Sequence, residues 1–470
     1  MKWRPLSAVL AVLAAIVVGS PRSDGRNNGP VVQAAAEVDL AFDGSRYADR
    51  TLTLGDRTIA FRAFENIVYV SRPVEARYQS LNFYVPAAYF EGAAVGGHTA
   101  ETAPIFLPNT VGGYMPGLPG GPGQDRSGRP NAVLVALSRG SVVAVPGARG
   151  RTLQDPRGAF TGKAPACIMD LKAAVRYLRF NDKVMPGDAE KIVTNGTSAG
   201  GALSGLLGAT GGSADYEPYL EALGAADAHD GVFAASCYCP ITDLDNADAA
   251  HEWLFHGVDD YEGRMGKGRM TAAQIGVSGR LKALFPDRVN GLGLKKDDGA
   301  ALTLDADGNG PFKDLVKSFL AASAQTALDG GADLPAAAGF TVKDGAVAAV
   351  DLARFAAWAG RMKTAPAFDA LDLGSPENSL FGSAMVDKRH FTAFARDRSA
   401  DRTMAEAAVV KMMNPIPYIG APGTVTARHW RIRHGAIDKD TSLAVPVILA
   451  TKLRNEGFDV DFAAAWAARP

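Results

Sequence analysis

The segment Lys191-Ile192-Val193-Thr194-Asn195-Gly196-Thr197-Ser198-Ala199-Gly200 constrains this chain more than any other. Its first five residues suit a short buried strand, and Ala199 to Leu207 is small and helix-compatible. Between them stands a serine with glycines two residues to either side. That order predicts a strand, a sharp turn and a helix, with the Ser198 hydroxyl standing clear of a sheet. Glycine is required on both sides because a Cβ there would collide with the neighbouring strand and helix. A plain Gly/Ser loop lacks the flanking strand and helix patterns. The motif points to nucleophilic attack by a serine, with Ala199 N–H directly behind it as one donor for a developing oxyanion.

Strand-like runs recur at the spacing of an α/β protein. Arg57 to Val70 and Leu81 to Val85 read as an opening hairpin. Ala103 to Pro108 and Ser141 to Val145 are continuous apolar runs, as strands buried on both faces should be. A helix is expected from about Ala164 to Phe180, with Cys167, Leu171, Ala174, Val175 and Leu178 on one stripe. Gly231 to Cys239, His429 to Arg433 and Phe458 to Phe462 are later strands, and Leu443 to Asn455 is helical. The expectation is the α/β-hydrolase fold: a mostly parallel sheet with helices on both faces and a large inserted lid domain. Residues 37–242 form the first part of the core, 243–425 the lid, and 426–470 the second part. The lid stretch is rich in Ala, Asp and Gly, and interrupts the strand series.

Met1-Lys2-Trp3-Arg4 and the apolar run from Leu6 to Val18 have the charge and length of a secretory signal. Residues 1–36 are therefore read as signal peptide and flexible leader, which implies a secreted or periplasmic protein without stable membrane association once the signal is removed. A net charge of −1 with no basic run gives nucleic acid nothing to bind. Three cysteines make no disulfide framework. Cys237 and Cys239 alternate on a strand-like run and are read as small core residues on one face, without further ligands for a metal.

In this fold the acid follows a late strand and the histidine follows the acid. Asp438, after the strand His429 to Arg433, is the candidate acid. The second oxyanion donor is expected from the loop after Ala103 to Pro108, at Gly112 and Gly113. His98, His229, His251, His256, His390, His429 and His434 all precede Asp438, and each is read as a surface or structural residue. The expected base position falls after the strand Phe458 to Phe462, which implies a chain truncated at its C-terminus. Asp305, Asp307 and Asn309 match the start of a calcium loop, but Val316 stands at its twelfth position. A structural calcium and an Asp/Gly-rich turn both remain open there. The esterase chemistry itself requires no cofactor.

Several stretches resemble the bacterial tannases. They are Asn82-Phe83-Tyr84-Val85-Pro86, Leu107 to Tyr114, Lys163 to Asp182, Pro186 to Lys191, Gly196 to Leu203, Tyr238 to Thr242 and Arg433 to Ser442. The resemblance covers nearly everything from about residue 37 onward. It implies an α/β-hydrolase with a large lid that hydrolyses galloyl esters to gallic acid, with a small-molecule galloyl ester as partner. By position, Ser198 matches the family nucleophile and Asp438 its acid. Lys363, Glu377 and Asp440 match three side chains that grip the galloyl hydroxyls. The fungal enzymes carry a cysteine directly before the serine; Thr197 stands there instead. Two other readings stay open from the residues: an esterase with another preference, such as ferulate or aliphatic esters, and a catalytically dead phenolic-binding protein.

Overall fold

The computed structural model describes residues 37–466 except 126, 264 and 265. The leader expected over residues 1–36 lies outside them. From Val38 onward the chain forms one compact unit, built on a nine-stranded sheet. The first strands are β1 (Ala48–Leu54), β2 (Arg57–Val68) and β3 (Ser80–Pro86), followed by β4 (Pro104–Pro108), β5 (Val142–Pro146), β6 (Asp188–Thr197) and β7 (Ala234–Tyr238). Two hairpins outside the sheet come next, β8 (Asp260–Gly263) with β9 (Gly266–Arg269), and β10 (Phe340–Lys343) with β11 (Ala346–Val350). The sheet closes with β12 (His429–Gly435) and β13 (Asp459–Ala465).

Sheet order is β1-β2-β3-β5-β4-β6-β7-β12-β13. The first three pairings are antiparallel and all those from β5 to β13 are parallel. β5 is buried at every position, as a strand covered on both faces must be. β1 is mostly exposed and polar, so it carries no hydrophobic signature and the sequence pattern passed over it. The expected opening hairpin exists as β2 and β3, with Phe61 opposite Pro86 and Val68 opposite Ser80.

Three early helices flank the sheet: α1 (Ala132–Ser138), α2 (Ala166–Phe180) and α3 (Ala199–Ala209). The stripe expected on α2 does not select a face, because every residue from Cys167 to Leu178 is buried. Its polar members are paired: Asp170 holds Arg149 at 2.8 Å and Lys172 holds Asp230 at 2.9 Å. α3 is buried throughout. Its small residues allow this: a Cβ on Gly208 would stand 2.6 Å from the Trp430 ring and 2.8 Å from Ala235 Cβ.

Residues 243–425 contribute helices and the two hairpins, but no strand of the nine-stranded sheet. Their longest helix, Pro311–Asp329, packs on β13, with the Phe319 and Phe462 ring centroids 4.6 Å apart. Among the described residues, no helix is long and apolar enough to cross a membrane.

Candidate active site

Ser198 sits at φ 59° and ψ −123°, between β6 and the first residue of α3. Few non-glycine residues are held there, and such strain persists only where the surroundings impose it. The Ser198 N–H donates to Tyr238 O on β7 at 2.9 Å, which ties the turn to the neighbouring strand. The two motif glycines are needed for close approach, although their neighbours differ from a simple strand and helix. A Cβ on Gly196 would lie 2.3 Å from Gly200 O and 2.6 Å from Asn109 Nδ2. One on Gly200 would lie 2.5 Å from Asn109 Oδ1 and 2.7 Å from Val111 O.

Asn109 is therefore the wedge between the two glycines. Its Nδ2 donates to Asn195 O, Gly200 O and Ser204 Oγ at 3.0–3.2 Å, and its Oδ1 accepts from Val111 N–H at 3.2 Å. One side chain thus joins the serine turn to the loop after β4. That role was invisible in sequence because Asn109 and Ser204 are 95 residues apart.

The second oxyanion donor is expected in the loop after β4. Gly112 O accepts from Met115 N–H at 3.0 Å, and Gly113 and Tyr114 both have φ of 55°. Such a turn, with two successive left-handed residues, favours glycine. A Cβ on Gly112 or Gly113 would meet nothing within 4 Å, so one side of this backbone is open. Arg151 steadies the loop, with Nε donating to Gly113 O at 3.0 Å and N–H to Tyr114 O at 2.9 Å. Ala199 is fully buried as the first residue of α3, where backbone N–H groups lack intrahelical partners.

Asp438 follows β12 and is 4% exposed. Its Oδ1 accepts from the N–H groups of Asp440 at 2.8 Å and Thr441 at 3.2 Å. Its Oδ2 lies 3.8 Å from His434 Nε2. His434 is buried, its Nε2 meets Thr441 O at 3.2 Å, and its Nδ1 has no partner. Burial holds the His434 imidazole below its ordinary pKa, against the pull of Asp438. The alternation expected for Cys237 and Cys239 is corrected here. β7 ends at Tyr238 and Cys239 turns to φ 42°, so the two cysteines do not share a strand face. Cys237 is core, whereas Cys239 lies against His434 and Asp438. Burial, then the Asp438 carboxylate, pushes the Cys239 thiol up to about 12. The surroundings thus offer the ligands that the local sequence did not.

Lys363 and Asp440 meet at 2.8 Å between Nζ and Oδ1, and the ammonium stands 3.9 Å from the centre of the Phe368 ring. Burial acts to lower the Lys363 pKa, but the Asp440 and Glu377 carboxylates outweigh it and the net shift is upward. Glu377 is 4% exposed with Oε2 lacking a hydrogen-bond partner. Burial raises its pKa, while Lys363 and Arg151 pull it down. An ammonium and a carboxylate from two separate segments therefore meet, with a second buried carboxylate acting on the ammonium. Adjacent phenolic hydroxyls can donate to the carboxylates and accept from the ammonium.

The segment bearing Lys363 and Glu377 is fixed by buried acids that carried no sequence signal. Asp248 accepts from the N–H groups of Phe368 at 2.7 Å and Asp369 at 2.9 Å. Asp369 accepts from Asn378 Nδ2, His390 Nδ1, and the N–H groups of Phe391 and Thr392 at 2.6–3.0 Å. Ser375 caps the short helix Pro376–Leu380 that presents Glu377.

The other histidines mostly have partners of their own: His229 with Gly231 N–H, His251 with Glu252, His256 with Ser278 Oγ, and His429 with Asp459. Asp305 and Asn309 form a hydrogen-bonded turn. Asp305 Oδ1 accepts from Asp307 and Asn309 N–H, and Asn309 Oδ1 holds the Lys313 ammonium at 2.8 Å. A cation already faces one of the three residues matched to a calcium loop. Asp305 and Asp307 belong to no group of three potential metal ligands among the described residues.

A protein-family model described as BD-FAE matches residues 155–262. No curated protein matches. Among solved structures, the tannase of Fusobacterium nucleatum is 47% identical, with a TM-score of 0.89 over 92% of this chain and 96% of that one. The tannin acyl hydrolase of Lactobacillus plantarum is 46% identical, with a TM-score of 0.88 over 92% and 95%. A tannin acyl hydrolase in complex with ethyl gallate gives the same values, and one in complex with 3,4-dihydroxybenzoate is 47% identical.

Proposed function

Given that this chain belongs to the bacterial tannases, ester hydrolases of the α/β-hydrolase fold, we propose that it cleaves galloyl esters through an acyl-enzyme on Ser198. The Ser198 Oγ attacks the ester carbonyl. The N–H groups of Ala199 and of the Gly112–Gly113 loop receive the oxyanion. Asp438 orients the imidazole that takes the serine proton and passes it to the departing alcohol. Water then repeats the sequence on the galloyl-enzyme and releases gallic acid. β13 runs parallel to β12, and Ala436 N–H donates to Ala465 O at 2.8 Å, so the end of β13 lies beside the start of the Asp438 loop.

One observation carries the substrate assignment. Asp440, two residues from Asp438, is ion-paired to Lys363 at 2.8 Å, and the Glu377 carboxylate, itself buried, adds to the upward pull on the Lys363 pKa. The ring grip and the catalytic acid thus share one loop. Residues 243–425 act as the lid that brings Lys363 and Glu377 to it. The relatives solved with ethyl gallate and 3,4-dihydroxybenzoate support a phenolic acyl group. The leader composition supports export, and an alkaline phosphatase fusion to residues 1–36 tests it.

The deciding experiment is hydrolysis of methyl gallate beside methyl ferulate by the full-length protein. Strong preference for gallate is expected, since only gallate offers three adjacent hydroxyls. Equal rates would reject the galloyl assignment. Methyl gallate binding without turnover would reject the esterase mechanism and leave a binding protein.

A further inference from the structure

We propose that Cys239, His434 and Asp438 form a site for one thiolate-seeking divalent cation, of the zinc or cadmium type, beside the catalytic serine. The three residues come from the end of β7, the end of β12 and the loop after it. The Cys239 thiol, one ring nitrogen of His434 and one carboxylate oxygen of Asp438 lie within 4.8 Å of one another. Thiolate, imidazole and carboxylate are the donors zinc selects. Tetrahedral ligands at zinc distances stand roughly 3.3–3.7 Å apart, so the three donors must draw together by at most about 1.5 Å.

The surroundings are those of a supported site rather than a chance cluster. Asp438 Oδ1 is taken by two backbone N–H groups, which orients the carboxylate and leaves Oδ2 as donor. Oδ2 stands 3.8 Å from His434 without hydrogen bonding to it, a separation too long for such a bond. Nε2 of His434, the nitrogen that faces Asp438 Oδ2, also meets the Thr441 carbonyl at 3.2 Å, and would exchange that contact for the ion.

Charge also balances. Binding replaces the thiol proton, which leaves to solvent. One dication with a thiolate, a carboxylate and a neutral imidazole is then a neutral assembly, which burial tolerates. The fourth position stays open to water.

The Ser198 N–H is bonded to Tyr238 O, the residue before Cys239. A cation here would also occupy Asp438 and withdraw it from its imidazole. Metal binding would therefore switch hydrolysis off. That consequence rests on the reading of Asp438 as the acid; the binding does not.

The test uses the full-length protein. Titration with Co2+ should give a saturable thiolate-to-cobalt charge-transfer band with tetrahedral d–d absorption at one equivalent. Zn2+ should abolish methyl gallate hydrolysis, and EDTA should restore it. Cys239→Ser, which keeps the thiols of Cys167 and Cys237, should lose the cobalt band and weaken Zn2+ inhibition by more than about tenfold. A pale octahedral spectrum without the band in the wild type overturns the site, whether or not the variant folds. So does a folded Cys239→Ser that keeps the band. A protein that binds Co2+ through Cys239 yet never hydrolyses gallate upholds the site and rejects the esterase reading instead.

Discussion

Lys363 Nζ and Asp440 Oδ1 are 2.8 Å apart, although 77 positions of sequence separate the two residues. The pair joins the inserted segment to the loop of Asp438, and Met362 N–H adds a longer contact of 3.3 Å to Lys439 O. An ammonium ready to donate to phenolic oxygens is thereby held next to the proposed acid.

Removing either charge of the grip should be selective. Lys363→Ala and Glu377→Ala should each lower kcat/KM on methyl gallate by roughly 10–100-fold, the worth of a charged hydrogen bond. Turnover of 4-nitrophenyl acetate, which lacks ring hydroxyls on its acyl group, should change little. Equal loss on both substrates would contradict the assignment.

Asn109 should matter for stability as well as for rate. Asn109→Ala leaves Gly200 O and Val111 N–H without their side-chain partner, at about 1–3 kcal/mol if these groups stay dry. Urea unfolding should show that loss. The variant should also lower kcat, because the serine turn and the Gly112 loop are no longer joined. A variant as stable and active as the wild type would remove Asn109 from the account.

The glycines should divide into two kinds. Gly196→Ala places a Cβ 2.3 Å from Gly200 O, backbone against backbone, and should cost several kcal/mol or abolish folding. Gly112→Ala meets nothing within 4 Å, and thermal unfolding should find it as stable as the wild type. Its ester turnover should nonetheless fall, since the methyl occupies the open side of the proposed oxyanion loop.

Asp248 supplies a pH signature. Burial raises its carboxyl to about 7, above the ordinary value near 4. Between those values the folded protein holds a proton that the unfolded chain has released. The Asp248 contribution therefore makes stability fall as pH rises from about 4 to about 7. Unfolding free energies across that window should decline less steeply in Asp248→Asn than in the wild type. Identical slopes would mean that Asp248 is ionised throughout.

The parts of this protein legible in its sequence are those written in contiguous residues. Ser198 and its glycines stand within five positions, so strand, strained turn and helix followed from local sterics. The apolar runs of β4 and β5 announced buried parallel strands for the same reason. Lys363 and Glu377 were nameable only through the family resemblance; by themselves they are two charges in a polar segment. Nothing local marked Asn109, Arg151, Asp248 or Asp369, whose partners lie mostly far along the chain. Local alternation even misassigned Cys239, because the strand ends one residue earlier and the backbone turns. Short-range backbone preference therefore determined the elements and the nucleophile's turn. Only the tertiary structure decided which buried carboxylates meet which donors, since a buried charge is tolerated only where the fold brings it a partner.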